Sequence, residues 1–239
     1  MSPRLISVQV GVPRLVRLDG RARLPDGQPR LSDGQARAQD GREVSTAIFK
    51  APVQNRVRMN RLNLEGDRQA DLSVHGGQDK AVYVYPSEHY SYWKDVFPGS
   101  KLPWGSFGEN LTTEGLLEGE VFLGDRFQIG SAEVVVTQPR IPCFKLNLKF
   151  ERDDMAKRFL ASRRTGFYLR VLREGEIGAG DEIVSLHKDE NRVSVADAMR
   201  IYLGDPGAVE IIPRALRVQY LSATWREEFR ELIQAPPAN

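Results

Sequence analysis

The sequence contains one cysteine, Cys143, and only three histidines among 239 residues. A single cysteine excludes a disulfide within the chain, and four such scattered side chains do not easily form a conventional zinc site. The chain also lacks the glycine-rich phosphate loop, the dinucleotide-binding glycine motif and the nucleophile-elbow motif. Two kinds of chemistry stay open: a cofactor held by one thiolate and several cations, or a Cys/His pair.

The sequence also lacks a charge excess and a long apolar run. The 34 basic and 32 acidic side chains give a net charge of +2, which provides no electrostatic reason to bind nucleic acid or an anionic membrane. No apolar run approaches the roughly 18 residues that a membrane span needs, and no signal-peptide pattern occurs near the first residue. We therefore expect a cytoplasmic protein with neither nucleic acid nor membrane as a partner.

Short β-prone runs, separated by Gly, Pro, Asn and Asp clusters, dominate the chain between about residues 44 and 186. Many short strands with frequent turns predict a mainly β domain of the α+β class, built as a barrel or a strongly bent sheet. Helical patterns interrupt the runs at residues 86–97 and 151–162. The predicted strands cover residues 46–49, 82–85, 121–123, 127–129, 134–137, 167–171 and 183–186.

Two regions differ from this pattern. Residues 14–43 are polar and carry Asp-Gly pairs at a seven-residue period, which predicts either a hairpin with several turns or, in our preferred interpretation, a mobile insertion. After residue 190 the pattern becomes helical, with a capping-box-like start at Ser194 and a second helical segment over residues 213–221. We predict a main domain over residues 1–190 and a small three-helix domain over residues 191–239.

Cys143 is the first candidate functional residue. It follows a β-run in a turn stiffened by Pro139 and Pro142, and Arg140 and Lys145 flank it. Nearby cations lower a cysteine pKa and favour the thiolate, the form that both a nucleophile and a soft-metal ligand require. A lone cysteine is most often a buried apolar side chain. Its rigid, cationic surroundings favour a functional role instead.

Three further segments carry candidate binding residues. His75, Gly76 and Gly77 precede Lys80, and paired glycines allow backbone N–H groups to approach an anion, although a simple glycine turn is the alternative. Asn110 follows a glycine and suits either ligand orientation or, more simply, turn formation. Lys50 ends a strand-like run before a proline and is either a solvated lysine or an anion clamp.

Six segments together resemble the MOSC family, named for the C-terminal domain of molybdenum cofactor sulfurase, and specifically its YiiM-like branch. The resemblance extends to the tail around Trp225, which looks like the three-helix extension of that branch, and it excludes roughly residues 14–43. The six segments occur in a consistent order and cover residues 48–53, 62–71, 74–81, 85–90, 107–111 and 138–146.

The resemblance implies a β-barrel-like domain that binds a molybdopterin-type molybdenum cofactor. In this interpretation Cys143 is the protein ligand to molybdenum, and Lys50, Lys80 and Arg140 hold the phosphate and pterin of the cofactor. The remaining pocket residues are His75, which is also a candidate catalytic residue, together with Asn110, Gly76 and Gly77.

The activity that the resemblance implies is reduction of N-hydroxylated compounds, including hydroxylaminopurine-type base analogues, to amines. The electrons are expected from an external donor, a flavoprotein reductase, and a homodimer is possible for such a chain. Two alternatives stay open: a non-catalytic carrier of the cofactor, and a sulfur-transfer or Cys-nucleophile enzyme with His75 as base. The family also has a loose association with pyridoxal phosphate.

Overall fold

An eight-stranded mixed sheet forms the centre of the computed structural model, which describes residues 2–17, 43–69 and 76–234. The strands of the molecule are β1 Arg4–Val10, β2 Arg14–Arg17, β3 Glu43–Thr46, β4 Ala51–Pro52, β5 Val57–Met59, β6 Val82–Pro86, β7 Leu111–Glu114, β8 Arg126–Ile129, β9 Ala132–Pro139, β10 Phe167–Arg173, β11 Gly175–Ile177 and β12 Ile183–His187. The strand order of the central sheet is β12-β8-β9-β10-β6-β7-β1-β4, and β6 and β7 form a parallel pair among antiparallel neighbours.

The ends of this sheet approach each other without closing. The Leu5 N–H donates to the Asp181 carbonyl at 2.9 Å, and the Gly180 N–H donates to the Leu5 carbonyl at 2.7 Å. These bonds bring β1 beside the chain that leads into β12, at the opposite edge of the sheet. The predicted α+β, mainly β class is confirmed. Of the two expected forms, a closed barrel or a strongly bent sheet, the structure has the bent sheet, whose ends nearly meet.

Helices cover one flank of the sheet and form the C-terminal part of the molecule. Those described are α1 His89–Val96, α2 Phe144–Phe150, α3 Met155–Ala161, α4 Val195–Tyr202, α5 Ile212–Ala215 and α6 Ala223–Gln234, with short 3-10 turns at Gln78–Lys80 and Ala208–Ile211. None of the helices within these described ranges is long and apolar enough to cross a membrane.

Several predicted boundaries are wrong for local reasons. The helix predicted over residues 86–97 begins at His89, because Pro86 completes β6 by pairing with Thr113 of β7. The helix predicted over residues 151–162 begins at Met155. The preceding α2 is only two turns long, so it leaves too short a periodic pattern to detect.

Three other predictions also change. The strand predicted over residues 121–123 is a single bridge between Phe122 and Ser194, and the strand predicted over 46–49 ends at Thr46. The second C-terminal helix, predicted over 213–221, is the one-turn α5, which ends at Ala215 and follows a 3-10 turn over Ala208–Ile211. Each of these segments takes its shape from tertiary contacts, which local sequence does not encode.

The two ends of the predicted polar insertion pair with each other. β2 and β3 run antiparallel, from Arg14 opposite Thr46 to Arg17 opposite Glu43. This pairing forms the base of a hairpin. The Asp-Gly pairs between these strands lie outside the described residues.

The C-terminal helices share one hydrophobic core with the sheet. Val195, Trp225 and Phe229 belong to the same buried cluster as the side chains of β1, β6 and β9. The predicted start of α4 is confirmed: Ser194 Oγ accepts from the Asp197 N–H at 2.9 Å, and an Asp197 carboxylate oxygen accepts from the Ser194 N–H at 3.2 Å.

We predict that Ser194→Ala lowers the free energy of unfolding by about 1 kcal/mol, because it removes this cap. Urea denaturation is monitored by far-UV circular dichroism. The whole unfolding transition should move to a lower urea concentration, since the helices and the sheet share a core. Ser185→Ala, at an exposed position on β12, is the control and should leave stability unchanged. A separate early transition for the helices would contradict this view of the core.

Candidate functional site

A cleft of ≈ 680 Å³, counted to its open mouth, lies between the segment before β4, the end of β9 and the start of α2. Five of the eight predicted site residues line it: Lys50, Lys80, Asn110, Arg140 and Cys143. Gly76 and Gly77 are not among the lining residues, and His75 lies outside the described residues. The principal lining residues that sequence reasoning missed are Asp67, Arg68, Tyr83, Lys145 and Tyr168.

Cys143 lies at the wall of this cleft, directly before α2. Its backbone is extended, with φ −117° and ψ 171°, and its carbonyl accepts from the Leu146 N–H at 3.0 Å in the first turn of the helix. The side chain is half-buried. The strand β9, the two-proline turn and α2 therefore fix the thiol at one edge of the cleft.

Arg140 is a buried cation that lacks a carboxylate partner among residues 2–17, 43–69 and 76–234. It is 5% exposed, and its Nη1 donates to the Tyr83 hydroxyl at 3.0 Å. The guanidinium lies 4.5 Å from the Tyr83 ring centroid and 5.2 Å from that of Phe159. A buried charge is costly unless an opposite charge compensates it, so this site is suited to an anion.

The pKa of Arg140 reflects these surroundings. Burial alone acts to lower it, yet the pKa lies above the ordinary value because the side chains of Tyr83, Tyr168 and Cys143 favour the cation. Arg140 and Cys143 both line the cleft, so a ligand bound there would meet the buried cation and the thiol together.

Lys145 is a second buried cation at the cleft. It is 9% exposed, and in the described part of the chain no carboxylate lies within ion-pair distance of it. Arg68 and Lys80 extend the cationic lining toward the mouth. Among the described residues, these cations and Lys50 face a single lining carboxylate, that of Asp67.

Asp67 compensates the charge of Lys50. One carboxylate oxygen accepts from the Gly11 N–H at 2.8 Å and from the Lys50 ammonium, and the other accepts from the Asn110 amide at 2.9 Å. Burial lowers the pKa of Lys50, while Asp67 acts to raise it. Lys50 is thus already in a buried ion pair, which distinguishes it from Arg140.

The side chain of Asn110 connects two backbone groups with the carboxylate of Asp67. Its amide donates to Asp67 and, at 3.3 Å, to the Gln9 carbonyl, while its side-chain oxygen accepts from the Tyr83 N–H at 3.2 Å. These bonds use most of its hydrogen-bonding capacity. They fit the turn-forming alternative better than direct ligand contact, and the cofactor-binding role assigned to Asn110 stays a prediction.

Tyr83 and Tyr168 form an aromatic wall of the cleft. They occupy directly paired positions of β6 and β10, and their ring centroids are 5.3 Å apart. Burial raises the pKa of both hydroxyls, so both tyrosines are neutral at ordinary pH. Sequence reasoning missed this pair because the pairing of β6 with β10 is not visible in either strand alone.

Lys149 connects α2 to the segment before β4 and to the loop at Gly105. Its ammonium donates to the carbonyls of Ile48, at 2.9 Å, and Gly105. Burial lowers its pKa to about 8, with Glu109 opposing this effect and nearby cations adding to it. The helix that follows Cys143 is therefore held by a lysine whose charge is costly in the folded state.

This lowered pKa predicts a pH-dependent stability. Between pH 8 and 10.5 the unfolded chain holds a proton on Lys149 that the folded chain has released, so stability rises with pH in this window. Relative to Lys149→Met, the wild-type protein should gain up to about 3 kcal/mol between pH 7 and 10.5. Chemical denaturation at several pH values measures this difference, and a constant difference would contradict the assignment.

Together, the fold and the cleft define an α+β protein with an open mixed sheet that presents one thiol among several cations. A family model described as the MOSC domain matches residues 71–184. The chain belongs to the MOSC domain family, and the resemblance found in the sequence is confirmed.

Relatives share most of the chain. YflK of Bacillus subtilis, described as uncharacterized, is 43% identical over 225 residues, covering 94% of this chain and 92% of YflK. YiiM of Escherichia coli is 38% identical over 75% of this chain and 81% of its own length. A Gibberella moniliformis protein named Reductase is 34% identical over 66% of this chain but only 29% of its own length.

The fold is also shared with a solved relative. The crystal structure of YiiM from Geobacillus stearothermophilus superposes with a TM-score of 0.73 at 31% identity, covering 96% of this chain and 98% of that one. The similarity therefore includes the C-terminal helices as well as the sheet.

Proposed function

We propose that this protein binds a molybdopterin-type molybdenum cofactor in the cleft and reduces N-hydroxylated compounds to amines. The observation that carries the proposal is the buried Arg140, which lines the same cleft as Cys143 and has no carboxylate partner in the described part of the chain. MOSC domains are generally associated with this cofactor, and one relative is named a reductase.

The donor set of the cleft fits this cofactor. The thiolate of Cys143 suits a soft metal that is also bound through sulfur. The cations Arg140, Lys145, Lys80 and Arg68 suit an anionic phosphate. No group of three or more His, Cys, Asp or Glu side chains converges on a metal position within the described residues, so Cys143 is the ligand that we assign.

When bound, the cofactor would supply oxygen-atom transfer from R–NHOH, which two electrons and two protons convert into R–NH2 and water. Arg140 would hold negative charge next to Cys143, and α2 would keep the thiol in place. The aromatic wall of Tyr83 and Tyr168 offers a surface for a planar substrate. The electrons would come from an external flavoprotein donor.

The metal assignment predicts that Cys143→Ser loses its molybdenum. Protein purified from a host that makes the cofactor should carry close to one molybdenum per chain, measured by plasma mass spectrometry, and Cys143→Ser about tenfold less or lower. Lys157→Met, which removes an exposed lysine of α3, is the control and should retain the metal. Metal-free wild-type protein from that host would contradict the proposal and favour the Cys-nucleophile alternative.

A turnover assay then separates a reductase from a carrier. The loaded protein with an artificial one-electron donor should convert a hydroxylamine substrate to its amine, detected by chromatography. We expect Tyr168→Ala to raise KM more than it lowers kcat, because the ring contacts substrate without taking part in the chemistry. Loaded protein without turnover would support the carrier alternative instead.

A further inference from the structure

The chain turns between α3 and β10 over residues 163–166, where the Gly166 carbonyl accepts from the Arg140 N–H, and buried tyrosines hold other carbonyls of this turn. The Tyr85 hydroxyl donates to the Arg164 carbonyl at 3.1 Å, and the Tyr83 hydroxyl donates to the Thr165 carbonyl at 2.8 Å. Both tyrosines belong to β6, whose side chains are buried. The conformation of this turn is thus fixed from the interior of the molecule.

Glu118 holds the same turn from the loop between β7 and β8. One oxygen of its carboxylate accepts from the Gly166 N–H at 2.8 Å, and the other lies 2.7 Å from Nε2 of His89. Glu118 is only 6% exposed. Both carboxylate oxygens are thus in use, one by the turn and the other by α1, so the position of Glu118 is fixed between them.

Arg140 is attached to this turn twice. Its N–H donates to the Gly166 carbonyl at 3.1 Å, and its guanidinium donates to the Tyr83 hydroxyl, which is itself bonded to Thr165. Both the backbone and the side chain of Arg140 therefore take their positions from residues 165 and 166. Movement of the turn would displace the cation from the wall of the cleft.

The C-terminal helices contact the same assembly. The Ala196 N–H donates to the Glu118 carbonyl at 2.9 Å, and Asp205 forms a two-bond ion pair with Arg163 at the start of the turn, with distances of 2.5 and 2.7 Å. The helical extension therefore supports Glu118 on one side and the turn on the other.

We propose that Glu118 is a positioning residue, which holds the 163–166 turn so that Arg140 keeps its place in the wall of the cleft. The C-terminal helices support the site through the same contacts. The inference rests on the proposed function only in taking this cleft as the active site. It requires no metal, so metal-free protein tests it separately from the molybdenum assignment.

Anion affinity provides the readout, because the buried cation Arg140 lines the cleft. Metal-free protein is titrated with inorganic phosphate at constant ionic strength, and Arg140→Met should weaken phosphate binding about tenfold. Glu118→Ala should weaken it roughly three- to tenfold through displacement of Arg140. Glu118→Gln, which retains an oxygen for the Gly166 N–H, should stay within about twofold of the wild-type affinity. The exposed Glu120→Ala is the matched control.

A double-mutant cycle decides the question. If Glu118 acts through Arg140, Glu118→Ala causes no further loss of phosphate affinity in the Arg140→Met background. An equal loss with and without Arg140, or no loss in the single variant, would overturn the proposal. If Glu118→Ala does not fold, His89→Leu takes its place, with a smaller loss of affinity expected that is again absent in the Arg140→Met background.

Discussion

The site depends on one electrostatic constraint, the buried positive charge of Arg140. Its guanidinium contacts two aromatic rings and a tyrosine hydroxyl, and no carboxylate in the described ranges neutralises it. Interior charges of this kind are tolerated when another charge arrives with a ligand or lies nearby. A bound anion would supply such a charge, and a thiolate at Cys143, which lines the same cleft, would add to it. Arg140 and Cys143 therefore form the centre of the proposed site.

The surrounding structure serves to hold this unit in place. A second buried cluster, which includes Tyr85, Trp93, Phe107 and Phe159, packs α1 and α3 against the sheet behind Arg140. Lys50 differs from Arg140, because Asp67 already compensates its charge. The lysine best placed to bind an anion is thus Lys145, which the sequence placed near the thiol but did not assign to the site.

Much of the fold class and the centre of the site could be predicted from the sequence. Cys143 and Arg140 stand out because the cation precedes a lone thiol in a two-proline turn, and that local pattern is retained in the structure. The contributions of Tyr168, Asp67 and Glu118 could not be predicted, since each depends on pairing between distant segments. The sequence could not decide between a barrel and a strongly bent open sheet for the same reason, because strand order is not a local property.

The most direct test of the central claim is a calorimetric titration of metal-free protein with inorganic phosphate at constant ionic strength. If the buried charge of Arg140 binds an anion, Arg140→Met should bind phosphate about tenfold more weakly than the wild-type protein, because it loses one charged hydrogen bond. The control Lys157→Met should bind phosphate as the wild-type protein does. Equal phosphate affinity for wild-type protein and Arg140→Met would contradict the account.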